Sequence, residues 1–116
     1  MRDLKMKTIF KKIIDNELQA DKVFENDRII AIKDINPKAP VHLLIIPKKE
    51  IPDFQSVSEE DFALITECLK VAQDLALRFG ISDGYRLLTN NGSNAGQTIF
   101  HVHFHLIGGK QLGSMA

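Results

Sequence analysis

His101-Val102-His103-Phe104-His105-Leu106-Ile107 alternates imidazoles with apolar side chains. A strand repeats every two residues, so this stretch predicts a strand with His101, His103 and His105 on one face. Phe100, Val102, Phe104 and Leu106 fall on the other face, turned to a core. The register is pinned, because a slip of one residue would bury three imidazoles. The predicted strand runs from Ile99 to Ile107 and ends at Gly108-Gly109.

The neighbouring segments frame this strand. Asn91 to Gln97 is rich in asparagine and glycine and reads as a loop. Before it, Gly84 to Asn90 reads as a strand. A long helix is expected from the capping-box pair Ser58 and Asp61 to Gly80, a C′ residue. Phe62, Ile65, Leu69, Ala72 and Ala76 form one apolar row on it, and Leu64, Cys68, Val71 and Leu75 form a second. Together the rows exceed the roughly 100° stripe that one core contact needs, which suggests a second partner for the helix. In the first half, Thr8 caps a short helix carrying Ile9, Phe10, Ile13 and Ile14, broken at Asp15-Asn16. Val23-Phe24 starts a strand and Asn26-Asp27 gives a turn. Arg28 to Asp34 and Val41 to Ile46 are further strands, separated by a loop with Pro37 and Pro40 and closed by Pro47. The order favours an α+β fold with a mainly antiparallel, five-stranded sheet, one long helix and one short helix.

The 116 residues suit a single domain over residues 1–116, with a flexible N-terminus over 1–7 and a C-terminal tail over 111–116. Fifteen basic residues balance fifteen acidic ones, so no direct nucleic-acid binding is expected. Nothing approaches the ~20 apolar residues of a membrane span, and Met1 to Lys7 lacks the apolar run of a signal peptide. The single cysteine, Cys68, lies in an apolar helical pattern and reads as a reduced core thiol of a cytoplasmic protein.

Of four histidines, three fall at alternate positions. Chance placement would rarely produce that register. A zinc site is a second reading, since three imidazoles and a water suit that ion. However, three same-face positions span about 13 Å with a strand residue rising ~3.3 Å, and no nearby Asp, Glu or Cys completes the set. Nucleophilic and acid–base catalysis is the third reading, with neighbouring rings orienting and relaying protons for one active ring. Such a cluster must titrate as a coupled set and stay mostly neutral near pH 7. Ser93-Asn94-Ala95-Gly96-Gln97-Thr98 precedes it. Small residues there let the backbone approach, and successive N–H groups, hydroxyls and amides suit a phosphate. That placement favours the third reading.

His101 to Ile107 matches the histidine-triad pattern, His-φ-His-φ-His-φ-φ, at every position. Thr8-Ile9-Phe10, Asp34-Ile35-Asn36-Pro37, Ala39-Pro40, His42, Ile46-Pro47-Lys48, Gly84-Tyr85-Arg86, Gly92-Ser93, Gly96-Gln97 and Gly108-Gly109 also fall in the order of the Hint branch, the histidine triad nucleotide-binding proteins. The chain resembles that family from Thr8 to Met115, and its tail looks like that of bacterial members. The resemblance implies a homodimer with joined sheets, no cofactor and no metal. It implies hydrolysis of purine nucleoside 5′-phosphoramidates, such as adenosine phosphoramidate and lysyl-adenylate-type compounds, with nucleoside monophosphates as ligands. It implies His103 as nucleophile, passing through a nucleotidyl-histidine intermediate. His105 would hold the phosphate and assist the leaving amine, while His101 and His42 orient His103 and pass protons. Asp34, next to Ile35, would bind the ribose. Asn90, Gly96, Gln97 and Thr98 would surround the phosphate, and Phe10, Ile13, Leu18, Ile32 and Leu44 would sandwich the purine. Thr98 stands where many members have serine. A non-catalytic nucleotide-binding regulatory adaptor and a dinucleoside polyphosphate hydrolase are the alternatives.

Overall fold

The computed structural model describes residues 6–115. The expected flexible N-terminus lies largely outside the described residues. Within them, the Lys7 ammonium pairs with Asp15 at 2.8 Å and with Glu17.

Helix α1 covers Ile9–Ile14. Its cap is the expected Thr8, whose hydroxyl accepts from the Lys11 amide at 3.1 Å. Asp15 closes the helix and Asn16 takes a positive φ of 60°. Three strands follow, β1 (Lys22–Glu25), β2 (Ile29–Lys33) and β3 (Val41–Pro47). Helix α2 spans Phe62–Arg78, and β4 (Tyr85–Leu88) and β5 (Phe104–Gly108) complete the chain. The strands form one five-stranded sheet in the order β1-β2-β3-β5-β4, with every pairing antiparallel. The expected α+β fold with an antiparallel sheet, one long helix and one short one is the fold observed.

Each face of the sheet carries a helix. On one side α2 packs Ile65, Cys68, Ala72 and Leu75 over Ile29, Ala31, Leu43, Ile45, Phe104 and Leu106. On the other, Phe10 and Ile13 of α1 pack with Ile30, Ile32, Leu44 and Ile46. Covering both faces explains why β2 and β3 read as nearly continuous apolar runs rather than as alternations. Each such Ile or Leu contributes ~1.5–3 kcal/mol of burial.

Three expectations are corrected. The Ser58–Asp61 pair does not cap α2 directly. Ser58 precedes a 3₁₀ turn, Glu59–Asp61, and its hydroxyl bonds the Asp61 carboxylate at 3.1 Å instead of a backbone amide. The far end behaves as expected, with Gly80 at φ +74°, its amide on Leu77 O and the Ile81 amide on Ala76 O, a Schellman closure. Secondly, Phe62 and Leu69 lie exposed although they belong to the apolar row, and Leu77 is 71% exposed. Thirdly, the last strand begins at Phe104 and not at Ile99. Pairing with β3 stops at Ile45↔Phe104, and the backbone before that point finds other partners. The Val102 amide donates to Ile51 O at 2.7 Å, and the Thr89 hydroxyl donates to His103 O at 2.6 Å. Phe100, expected in the core, is 49% exposed.

Candidate active site

The two-residue alternation survives beyond the strand's end. Val102, Phe104 and Leu106 are buried, while the three imidazoles share the α1 side of the sheet. Phe10 of α1 meets the His103 ring edge-on at 4.8 Å and the His101 ring at 6.2 Å. His42 joins from β3. It pairs with Ile107 while Leu44 pairs with His105, so His42 and His105 are diagonal neighbours on one face.

Backbone partners fix the proton on each ring. A carbonyl can only accept, so His103 Nδ1, 2.7 Å from His101 O, carries the proton and donates it. Its Nε2 is left with the lone pair, and the ring lines a cavity. His101 Nε2 likewise donates to Pro47 O at 2.6 Å. The Lys38 amide donates to His42 Nδ1 at 3.0 Å, so the His42 proton is on Nε2, which faces His105 Nδ1 at 3.0 Å. His105 Nδ1 therefore accepts, and its own proton is on Nε2. The result is one ring with a free lone pair beside one with a free N–H, their centroids 5.1 Å apart.

All four rings are held below the usual histidine range, chiefly by burial. His105 is pushed down to about 4 by burial and by charge on His103 and His42, against the pull of Asp34. Burial also lowers His103 and His101, each opposed by its backbone carbonyl contact. His42 is lowered by burial and by Lys38, with Asp34 opposing. Near pH 7 the cluster is neutral, which leaves His103 Nε2 nucleophilic.

The cavity beside these rings measures about 510 Å³, a size suited to a small ligand. Phe10, Ile13, Leu18, Ile32 and Leu44 give it an apolar wall, and Asp34, Ile35, Asn90, Gly96, Thr98, His103 and His105 line it as well. His42 and His101 lie behind it, 5% and 1% exposed. Gln97 is not among the lining residues. Its side chain is 4% exposed and accepts from the Gly92 amide, while its amide nitrogen donates to Pro52 O and Ile99 O. Gln97 thus ties the loop to the body of the protein, with its side-chain oxygen and nitrogen both bonded within the chain. The loop amides of Ala95, Gly96 and Gln97 likewise bond Gly92 O or Ser93 O. Gly96 is required for its φ of +95°, with open space where a Cβ would go.

Sequence reasoning missed several contributors. Gln19, Ala20, Lys33 and Ile99 also line the cavity, and only the apolar Ile99 beside the loop carried a local signal. The Pro47 carbonyl and Lys38 amide that set the tautomers carry none.

Asp34, His42 and His105 present ligand atoms within 4.8 Å of one another, a spacing that could surround a cation. Gathering them around one would require giving up the His42–His105 hydrogen bond. His103, the ring with the free lone pair, is outside this set.

The HIT domain family matches residues 15–112. A HIT-like protein of Chlamydia pneumoniae is 55% identical over 109 residues, spanning 94% of this chain and 99% of its own. The crystal structure of a HIT family hydrolase from Legionella pneumophila superposes with a TM-score of 0.90 at 44% identity, covering 92% of this chain and 96% of that one. A histidine triad nucleotide-binding protein from Candida albicans gives a TM-score of 0.79 at 28% identity, covering 95% and 86%. With its histidine spacing, its sheet order and these likenesses in agreement, the chain belongs to the HIT domain family.

Proposed function

We propose that the protein hydrolyses purine nucleoside 5′-phosphoramidates, of the adenosine 5′-monophosphoramidate and lysyl-adenylate type, through a nucleotidyl-histidine. The observation that carries this reading is the tautomer pattern. His103 offers a lone pair while His105 offers a proton, within one cavity. The His103 Nε2 lone pair attacks phosphorus, and the P–N bonding pair leaves with nitrogen, which takes the His105 Nε2 proton. Water then attacks the nucleotidyl-histidine, returns a proton to His105 and frees His103 with a nucleoside monophosphate. The purine lies against Phe10, Ile13, Leu18, Ile32 and Leu44. Asp34 and the adjoining Ile35 face the ribose, and Asn90, Gly96 and Thr98 flank the phosphate. His101 and His42 hold the reacting rings. The likeness to a structure called a HIT family hydrolase supports hydrolysis, and the one called a nucleotide-binding protein supports the ligand class.

A homodimer in the cytoplasm completes the reading. Leu69, Leu77, Tyr85 and Leu87 are exposed apolar residues on α2 and on β4, the strand at one edge of the sheet. A second copy covering them would explain the excess width of the α2 apolar face.

The test is His103→Ala with adenosine 5′-monophosphoramidate. Turnover should vanish while AMP binding persists, and an active variant would remove the nucleophile. Faster cleavage of diadenosine triphosphate by the unaltered protein would favour the dinucleoside polyphosphate reading. AMP binding without any hydrolysis would favour an adaptor.

A further inference from the structure

Asp34 has two neighbours of different kinds. Its Oδ1 accepts from the Asn36 amide at 2.8 Å, which fixes the side chain. Its Oδ2 is 3.3 Å from His42 Nε2, the nitrogen that also faces His105. The carboxylate therefore lines the cavity and lies beside the junction of the two rings.

The proton count on those rings explains why a carboxylate belongs there. When neutral, the His42–His105 pair holds one proton on His42 Nε2 and one on His105 Nε2. Handing the second to a leaving nitrogen would leave one proton on two rings, and burying the resulting imidazolate is prohibitively costly. The pair must hold an additional proton when the P–N bond breaks. The Lys38 amide occupies His42 Nδ1, so that proton goes to His105 Nδ1. There it confronts the His42 Nε2 proton across 3.0 Å. Two N–H groups cannot face each other without an acceptor, and Asp34 Oδ2, 3.3 Å from His42 Nε2, can draw the His42 proton aside.

Resting on the phosphoramidase reading, we propose that Asp34 is a positioning residue for the leaving-group step as well as a ribose ligand. It is the counter-ion and acceptor that lets the His42–His105 pair take up a solvent proton and pass it to the departing amine. The bond broken is P–N and the bond formed is His103 Nε2–P. The nitrogen leaves with the electron pair and takes the His105 Nε2 proton, while the pair returns to its neutral, two-proton state. The charged and titratable groups facing the pair are Asp34 and Lys38 from the β2–β3 connection and His103 from the segment entering β5. Asp34 is the acidic member of that set. The dependence has a consequence for specificity, because ribose contact and proton supply meet on one carboxylate.

Asp34→Asn tests this. The amide oxygen can keep the Asn36 contact, so the turn is preserved while the charge is lost. Nitrogen NMR of the imidazole rings, without any ligand, should show the pair titrating about one unit lower in the variant. In turnover, kcat for an alkylamine leaving group should fall about 10-fold, because general acid catalysis is weakened. A p-nitrophenyl ester of AMP, whose nitrophenolate departs as a stable anion without a proton, should be affected by less than about 3-fold. The alkylamine loss should persist on a 2′,3′-dideoxyadenosine substrate, which has no ribose hydroxyls to bind. An unchanged ring titration, equal losses for both leaving groups, or a loss that disappears on the dideoxy substrate would each overturn the proposal. No phosphoramidate turnover by the unaltered protein would instead overturn the phosphoramidase reading, while the ring titration would still decide whether Asp34 is the counter-ion.

Discussion

Keeping a cluster of histidines neutral makes the fold sensitive to mild acid. In the unfolded chain each ring titrates near 6.5, whereas in the folded protein each is held lower by burial. A group whose folded value is depressed contributes stability that is fully present above its unfolded value and lost as pH falls towards its folded one. The window is therefore from about 6.5 downward, reaching about 4 for His105. Each ring protonated only in the unfolded state adds up to about 1.4 kcal/mol per pH unit. For His105, allowing for partial contact with water, the loss between pH 7 and pH 4.5 is about 2 kcal/mol. Asp15, Glu25, Asp61 and Glu67 are held below their usual range by lysine or arginine partners, so they lose their contributions at lower pH. Urea unfolding from pH 7.5 to 4.5 should show stability nearly level above about 6.5 and falling below it, and His105→Gln should flatten the fall. A profile flat from pH 6.5 to 4.5, or one that His105→Gln leaves unchanged, would refute burial of neutral rings.

Other consequences can be checked singly. Gln97→Ala should cost about 2 kcal/mol in urea unfolding, since it strands the Gly92 amide and the Pro52 and Ile99 carbonyls. Phe10→Ala should cost about 3 kcal/mol by emptying a packed position, and it should lower kcat by freeing the His103 ring it meets edge-on. Exhaustive chelation should leave turnover unchanged, because no step of the proposed chemistry uses a metal.

The architecture was legible wherever one face of an element had to be buried. The alternation at His101 to Leu106 announced both the final strand and the face that carries the imidazoles, and Thr8 and Gly80 marked helix ends by their own chemistry. Long-range relations were not legible. Where β5 begins depends on where β3 stops offering partners, and no residue from Ile99 to His103 encodes that. Gln97 looked like a phosphate donor because an amide beside Gly96 suits one. Its capture by Pro52, 45 residues away, is a property of the folded chain. The site's residue types were readable, but its proton arrangement was not. The carbonyls of Pro47 and His101 and the Lys38 amide decide it, and backbone groups are common to every residue.

The most direct measurement is mass spectrometry of protein quenched in acid or base during turnover of an adenosine phosphoramidate. An adenylyl group is expected on His103, more stable in base than in acid and absent from His103→Ala. An adduct on another residue, or rapid turnover with no adduct under conditions that preserve phosphohistidine-type bonds, would contradict that expectation.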